Sequence, residues 1–215
     1  PPGPIPLHIR LPSTNPFERS LTLLYTRMSA ENVTEEMIDV QTETGEFVGP
    51  LPRSQVHREG LWHTVINLWI ADKKGNLVIQ KRAACKESFP GKWDISVAGH
   101  ISAGDDPKST CLKEAEEELG LKITLEELEF VMNTKHKFLL RNGTYKDNEF
   151  VEVYLVIRDD LDLSTVVLQA SEVDAVRWIP WKTLMEEASK AESEYVPWGE
   201  TAYAGFWEYL QTRFG

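Results

Sequence analysis

Cysteine is scarce in this 215-residue chain, which has only Cys85 and Cys111. Two thiols cannot build a disulfide framework, so a reducing compartment is the default expectation. Basic residues are also few, 23 Lys and Arg against 34 Asp and Glu, for a formal net charge of −11. That balance argues against non-specific nucleic-acid binding and against attachment to an anionic membrane, because both need clustered Lys and Arg. A small anionic substrate stays open, since the local field decides there. Long apolar runs are missing as well. The longest, around Val65–Ala71, is interrupted by Asn67 and is far too short to span a bilayer. Against these absences, 41% of residues are hydrophobic and 27% charged, the profile of a soluble globular chain. This length suits one domain with a full core plus an appendage.

The appendage is N-terminal. Six prolines (Pro1, Pro2, Pro4, Pro6, Pro12, Pro16) fall in the first 16 residues, and through Met28 the single acid is Glu18, beside Arg10, Arg19 and Arg27. Residues 1–35 are read as a mobile arm, a transit-peptide remnant or a translated leader ahead of a start at Met28, and residues 36–215 as the folded domain. A cytoplasmic location is expected, or a plastid or mitochondrial matrix if the arm is a transit remnant.

From Glu36 the pattern becomes regular. Met37–Val40 and Glu46–Val48, separated by Thr44-Gly45, predict a hairpin. After a polar connector, Arg53–Gly60, the stretches Thr64–Ile70 and Leu77–Lys81 predict strands joined by Lys74-Gly75-Asn76, a strong turn signal. Phe89-Pro90-Gly91-Lys92-Trp93 reads as a rigid loop feeding a strand over Ile95–Ala98. Further strands are expected over Leu128–Lys137, Phe150–Ile157 and Ala175–Pro180, and helices over Lys108–Leu119, Lys182–Lys190 and Tyr203–Arg213. The sum is an α/β fold with a mixed sheet between helices.

The informative segment is Gly99–Leu121, GHISAGDDPKSTCLKEAEEELGL. Asp105 or Asp106 can cap a helix, Pro107 suits its first position, and Gly120 can end it in a left-handed conformation. Glu114, Glu117 and Glu118 stand at i, i+3 and i+4 and share one face, while Cys111, Leu112, Ala115 and Leu119 form another that can pack on a sheet. Like-charged pairs at this spacing cost a few tenths of a kcal/mol each in an isolated helix. A solvated acidic face is the common explanation of such a run; a divalent cation is the other, because it removes the repulsion. Mg²⁺ is bound in this way, through a few carboxylates with substrate phosphates and water.

The segment resembles the Nudix box, G-x5-E-x7-R-E-U-x-E-E-x-G-U, where U is aliphatic. Gly99, Glu114, Glu117, Glu118, Gly120 and Leu121 match it, and Ala115 takes the first U position. Asp105 and Lys113 stand where the pattern has Glu and Arg; both keep the charge sign, although Lys lacks the bidentate fork of Arg. The resemblance implies the Nudix fold and hydrolysis of a diphosphate joined to some group X. It also implies Mg²⁺ or Mn²⁺, held by Glu114, Glu117, Glu118 and the Gly99 carbonyl.

A longer stretch, from about Val56 to Ile179, is similar to the isopentenyl-diphosphate isomerases and their plant-type Nudix relatives. KRAACKESFPGKWDISVAGHI resembles their R-x3-K, aromatic-P-G-x-W and G-H signatures. The resemblance implies diphosphate contacts for Arg82 and Lys86, with Lys92 and Trp93 alongside. It implies metal ligation by histidines and by acids of a later segment. Here these are His63, His100 and, off the isomerase spacing by one residue, His57, with Asp147 and Glu149 from Asp147-Asn148-Glu149 ahead of the Phe150 strand. Imidazole with carboxylate suits Mn²⁺ or Zn²⁺ better than Mg²⁺. Trp62, Trp93 and Tyr145 are candidate walls for the organic half.

One difference decides the expected chemistry. Isomerases of this branch carry a cysteine before the G-H pair and have mostly lost the box glutamates. This chain has Ala98 there and keeps all three glutamates. A metal-dependent diphosphate hydrolase is therefore expected, acting on isopentenyl or dimethylallyl diphosphate, with Glu114, Glu117 and Glu149 as catalytic candidates and Glu117 or Glu149 as general base. The alternatives are a nucleoside-diphosphate-X hydrolase of the ADP-ribose type and a catalytically weak diphosphate-binding module; residual isomerase activity ranks last. A small-molecule diphosphate is the expected partner.

Overall fold

The computed structural model describes residues 35–190, 192–198 and 200–215. The readings of residues 1–34 as arm, transit remnant or leader lie outside them. A compact unit runs Met37–Gly215. Among the described residues, no helix is long and apolar enough to cross a membrane.

The spine of the fold is β3 (Trp62–Ala71), apolar on both faces as a strand covered on both sides must be. It runs parallel to β8 (Tyr145–Ile157) and antiparallel to β1 (Met37–Gln41), β6 (Val97–His100) and the start of β4 (Asn76–Arg82). The hairpin partner of β1 is β2 (Phe47–Pro52), which leads into α1 (Arg53–Glu59). β5 (Trp93–Asp94) and β9 (Val173–Pro180) flank β4, and β7 (Glu129–Leu140) flanks β8, giving a mixed sheet of nine strands among the described residues.

Alternation along β3 builds a core on each side. Ile66, Leu68 and Ile70 pack with Cys111, Ala115 and Leu119 of α2 (Pro107–Leu119). Val65, Trp69 and Ala71 pack with Leu184 of α3 (Trp181–Ala188) and with Tyr203, Phe206 and Leu210 of α4 (Glu200–Phe214). Each fully buried leucine contributes roughly 1.5–3 kcal/mol, so both helix layers are firmly held. Of the two candidate caps of α2, Asp106 is the one used: its Oδ1 accepts from the backbone N–H of Lys108 and Ser109, both at 3.1 Å. Gly120 closes the helix at φ +65.

The structure corrects three expectations. The connector over residues 53–60 is α1, whose side chains Gln55, Val56 and His57 are buried and whose end is Gly60 in the left-handed region. Seven residues are too few to show a helical period in the sequence. The strand expected over Ile95–Ala98 begins only at Val97, in β6, and Ile95 and Ser96 form a break between β5 and β6. Ser96 fills the gap: its Oγ accepts from the Ile70 N–H at 2.8 Å and donates to the Val78 carbonyl at 2.5 Å, replacing ladder bonds where β3 and β4 splay apart. The strand expected from Phe150 begins at Tyr145, so Asp147, Asn148 and Glu149 lie inside β8. Their pairing with Phe138, Lys137 and His136 of β7 and with Trp62 and His63 of β3 outweighs the weak strand preference of acidic residues.

Candidate active site with two donor sets

Four elements converge below one sheet face. α1 supplies His57, β3 His63, β6 His100 and β8 Asp147, with one donor atom of each lying within 4.8 Å of the others. His57 Nδ1 stands 2.8 Å from the Arg53 carbonyl and His63 Nδ1 3.1 Å from the Leu61 carbonyl. A carbonyl only accepts, so both Nδ1 atoms carry protons and both Nε2 atoms are left facing inward. Burial holds His63 below the ordinary imidazole value, against the pull of Asp147. Burial lowers His100 further, with the Arg53 charge adding to the effect. The inward atoms crowd one another: His57 Nε2 is 3.1 Å from His100 Nε2 and 3.3 Å from Asp147 Oδ1, and His63 Nε2 is 3.6 Å from the same oxygen. His63 Nε2 and Asp147 Oδ1 are buried with no hydrogen-bond partner. Two buried donor atoms without partners, among four that converge within 4.8 Å, are what a divalent metal would satisfy, so the donor set fits one. Tyr145 stacks on His57 with ring centroids 4.4 Å apart.

Glu149 projects to the same side one pleat further along β8. Burial pushes its carboxyl well up, and the neighbouring Asp147 and Asp94 add to the rise. Opposite it in the β7–β8 ladder stands His136, lowered to about 4 by burial, its Nδ1 3.7 Å from Glu149 Oε2.

The second donor set lies across β6. Because strand residues alternate, Gly99 faces α2 while Ala98 and His100 face the imidazoles. A Cβ on Gly99 would sit 2.5 Å from Glu114 Cγ, so only glycine admits the Glu114 side chain against the strand. Glu118 is buried, accepts from Gln80 Nε2 at 3.1 Å, and is pushed up to about 8 by burial and by Glu114. Glu117 is exposed, as are Asp105 and Lys113. The Lys86 charge reaches both sets, opposing the rise at Glu118 and adding to the fall at His100.

The residues expected around the diphosphate are tied to protein partners. Arg82 Nη1 donates to Asp94 Oδ2 at 2.9 Å, while its Nε and Nη2 hold the Ser88 carbonyl and hydroxyl. Lys86 pairs with Glu172. Lys92 Nζ donates to the Ser193 carbonyl at 2.5 Å, and Trp93 lies under the Arg177 guanidinium, 4.2 Å from its ring centroid. Lys92, Trp93 and Asp94 thereby pin the segment Ser193–Trp198 to the sheet; the Trp198 indole donates to Asp94 Oδ1 at 2.8 Å. Trp62 packs on Phe150, with Lys135 and Lys137 over its ring. Sequence reasoning missed His136, Asp94 and Gln80. His136 was readable in principle, since the β7–β8 hairpin sets it opposite Glu149; nothing local singles out the other two.

An α/β sheet with a glutamate helix on one side and an imidazole–carboxylate cluster on the other has the donors that a metal-dependent, phosphate-handling class of protein uses. The NUDIX domain family matches residues 61–199, and the chain belongs to that family, whose members hydrolyse diphosphate linkages with divalent metals. Nudix hydrolase 3 of Arabidopsis thaliana is 40% identical over 167 residues, 76% of this chain but 22% of that protein's length. An isopentenyl-diphosphate Delta-isomerase of Clavibacter michiganensis is 26% identical over 164 residues, 76% of this chain and 81% of its own. The crystal structure of a Deinococcus radiodurans protein shares the fold, with a TM-score of 0.58 at 22% identity, over 84% of this chain and 100% of that one.

Proposed function

We propose that the chain is a divalent-metal-dependent hydrolase of a diphosphate linkage, with isopentenyl or dimethylallyl diphosphate as substrate. The observation that carries this reading is a complete set of three glutamates, Glu114 among them fitted against Gly99, together with an alanine at position 98. Ala98 has no proton to exchange, so double-bond migration lacks its acid, whereas every carboxylate for hydrolysis is present. The similarity to isopentenyl-diphosphate isomerases supports a prenyl rather than a nucleotide organic half.

Glu114, Glu117, Glu118 and the Gly99 carbonyl would hold Mg²⁺ or Mn²⁺. His57, His63, His100 and Asp147 would hold a second ion, for which imidazole ligation suits Mn²⁺ or Zn²⁺. Bound divalent ions supply neutralisation of the charge that builds on the diphosphate. Lys86, whose charge reaches both donor sets from its pair with Glu172, would add positive charge beside the phosphates, while Arg82, held by Asp94 and Ser88, would brace the loop that carries it. Glu117 or Glu149 takes the proton of the attacking water. Glu117 meets solvent freely, while Glu149 lies beside the imidazole set, close to His136.

The test is phosphate release from isopentenyl diphosphate, with ADP-ribose in parallel, by the parent, Glu117→Gln and Glu149→Gln under Mg²⁺ and Mn²⁺. Loss of the base lowers the rate about 10²-fold or more in one variant. Equal rates in all three proteins refute the assignment. Metal binding without turnover identifies a binding module, and deuterium from solvent entering an allylic product identifies an isomerase.

A further inference from the structure

Three non-glycine residues adopt positive φ among the described residues: Phe89 at +48, Arg141 at +52 and Asn142 at +55. Asparagine tolerates that region, whereas arginine and phenylalanine are strained there and stay only where their surroundings hold them. All three fall on one contact. Arg141 and Asn142 lie in the turn Arg141–Gly143 that joins β7 to β8, and Phe89 lies in the loop over residues 83–92 that follows β4. Arg141 reaches across to that loop: its Nη1 donates to Glu87 Oε1 at 2.9 Å and its Nε to the Glu87 carbonyl at 3.2 Å. Beside this bridge the Phe89 and Phe138 rings meet edge to face, with centroids 5.2 Å apart. On its own side the guanidinium carbon is 6.0 Å from the centroid of Tyr145, the ring that stacks on His57.

The loop gripped in this way carries Lys86, a single peptide link before Glu87. Behind Lys86, its own N–H is held by the Ala83 carbonyl at 3.1 Å and its ammonium by Glu172. Ahead of it, Glu87 is held by Arg141 and Ser88 by Arg82. We infer that Arg141 is a positioning residue for diphosphate binding, setting Lys86 over the phosphates through the Glu87 bridge. This rests on the reading of Lys86 as a phosphate contact given above. A lysine is a point charge on a flexible stem, so its value to an anion depends on how its backbone is held. Arg141 and Glu87 are both exposed, and a bridge between exposed groups adds little to stability. The strain at Phe89 and Arg141 is therefore accounted for by placement of the loop, as where two segments clamp a ligand site. Placement and bare charge predict opposite signs at Glu87. Neutralising a carboxylate near an anion strengthens binding by its field alone, whereas breaking the bridge weakens it.

The experiment is calorimetric titration of the full chain, in excess Mg²⁺, with methylenediphosphonate, a diphosphate analogue that resists hydrolysis. Arg141→Gly, which suits the φ of the turn, and Glu87→Gln each bind it about fivefold more weakly than the parent, with circular dichroism establishing folding. Lys86→Ala weakens binding about tenfold. Adding Arg141→Gly to Lys86→Ala changes nothing further, because the arginine acts through the lysine. Parent-like affinity in Arg141→Gly overturns the proposal while a loss in Lys86→Ala leaves the phosphate contact standing. Tighter binding by Glu87→Gln, or the full Arg141→Gly loss recurring in the Lys86→Ala background, overturns it too. Parent-like affinity in Lys86→Ala, or no saturable binding by the parent, overturns it together with the reading of Lys86 as a phosphate contact.

Discussion

Replacing Glu118 by glutamine stabilises the metal-free protein, and the gain grows with pH. The Glu118 carboxyl is 5% exposed and sits beside Glu114, and it is pushed from 4.5 up to about 8. A group whose folded value is raised contributes stability that is complete below its unfolded value and is lost as pH rises toward the folded one. Each pH unit in that window removes about 1.4 kcal/mol, so about 3 kcal/mol is gone at pH 7 and about 5 kcal/mol by pH 8. Glutamine carries no charge at any pH, keeps an oxygen for Gln80 Nε2, and turns its own amide toward the Glu114 carboxylate. Urea unfolding of parent and Glu118→Gln from pH 5 to 8, in chelator, measures the difference. The variant's midpoint exceeds the parent's by roughly 1–2 M at pH 7. Other buried groups, His63, His100, His136 and Glu149 among them, titrate in both proteins, so the difference between the two curves isolates Glu118. Saturating Mn²⁺ then reverses the order, because the cation stabilises only the protein that retains the carboxylate. A difference curve flat across this range refutes the argument.

Two further substitutions test the framework around the donors. Gly99→Ala drives a methyl into Glu114, so the folded variant loses about 10–100-fold in Mn²⁺ affinity at the glutamate set, read by titration; parent-like affinity refutes the close fit. Asp94→Ala strips the carboxylate from both Arg82 and Trp198 and costs about 3–5 kcal/mol, lowering the melting temperature by roughly 10 °C. An unchanged melting temperature removes Asp94 from its place as the anchor of the Ser193–Trp198 segment.

The glutamate helix was legible because its signals are local: a cap, a proline, a terminal glycine, and carboxylates at helical spacing. Which glutamate is buried was not legible. That depends on how α2 rolls on the sheet, and seating Cys111, Ala115 and Leu119 carries Glu118 inward while leaving Glu117 out. The imidazole cluster was partly readable, with His57 the doubtful member; the unrecognised helix α1 is what turns that residue toward His100. Asp94 was invisible for a different reason. Its meaning comes from Trp198, a partner 104 residues away, and no window of sequence contains both. The roles expected for Lys92 and Trp93 came from a motif; their bonds to Ser193 and Arg177 come from a segment that the motif does not include.

The four residues of β6 act as a shared hinge pin for both halves of the chemistry. Gly99 abuts the carboxylates and His100 reaches the imidazoles, on a peptide link too short to flex independently. Any displacement of this strand that tightens one cage must therefore drag on the other. A slip by one residue would exchange the sides and dismantle both together.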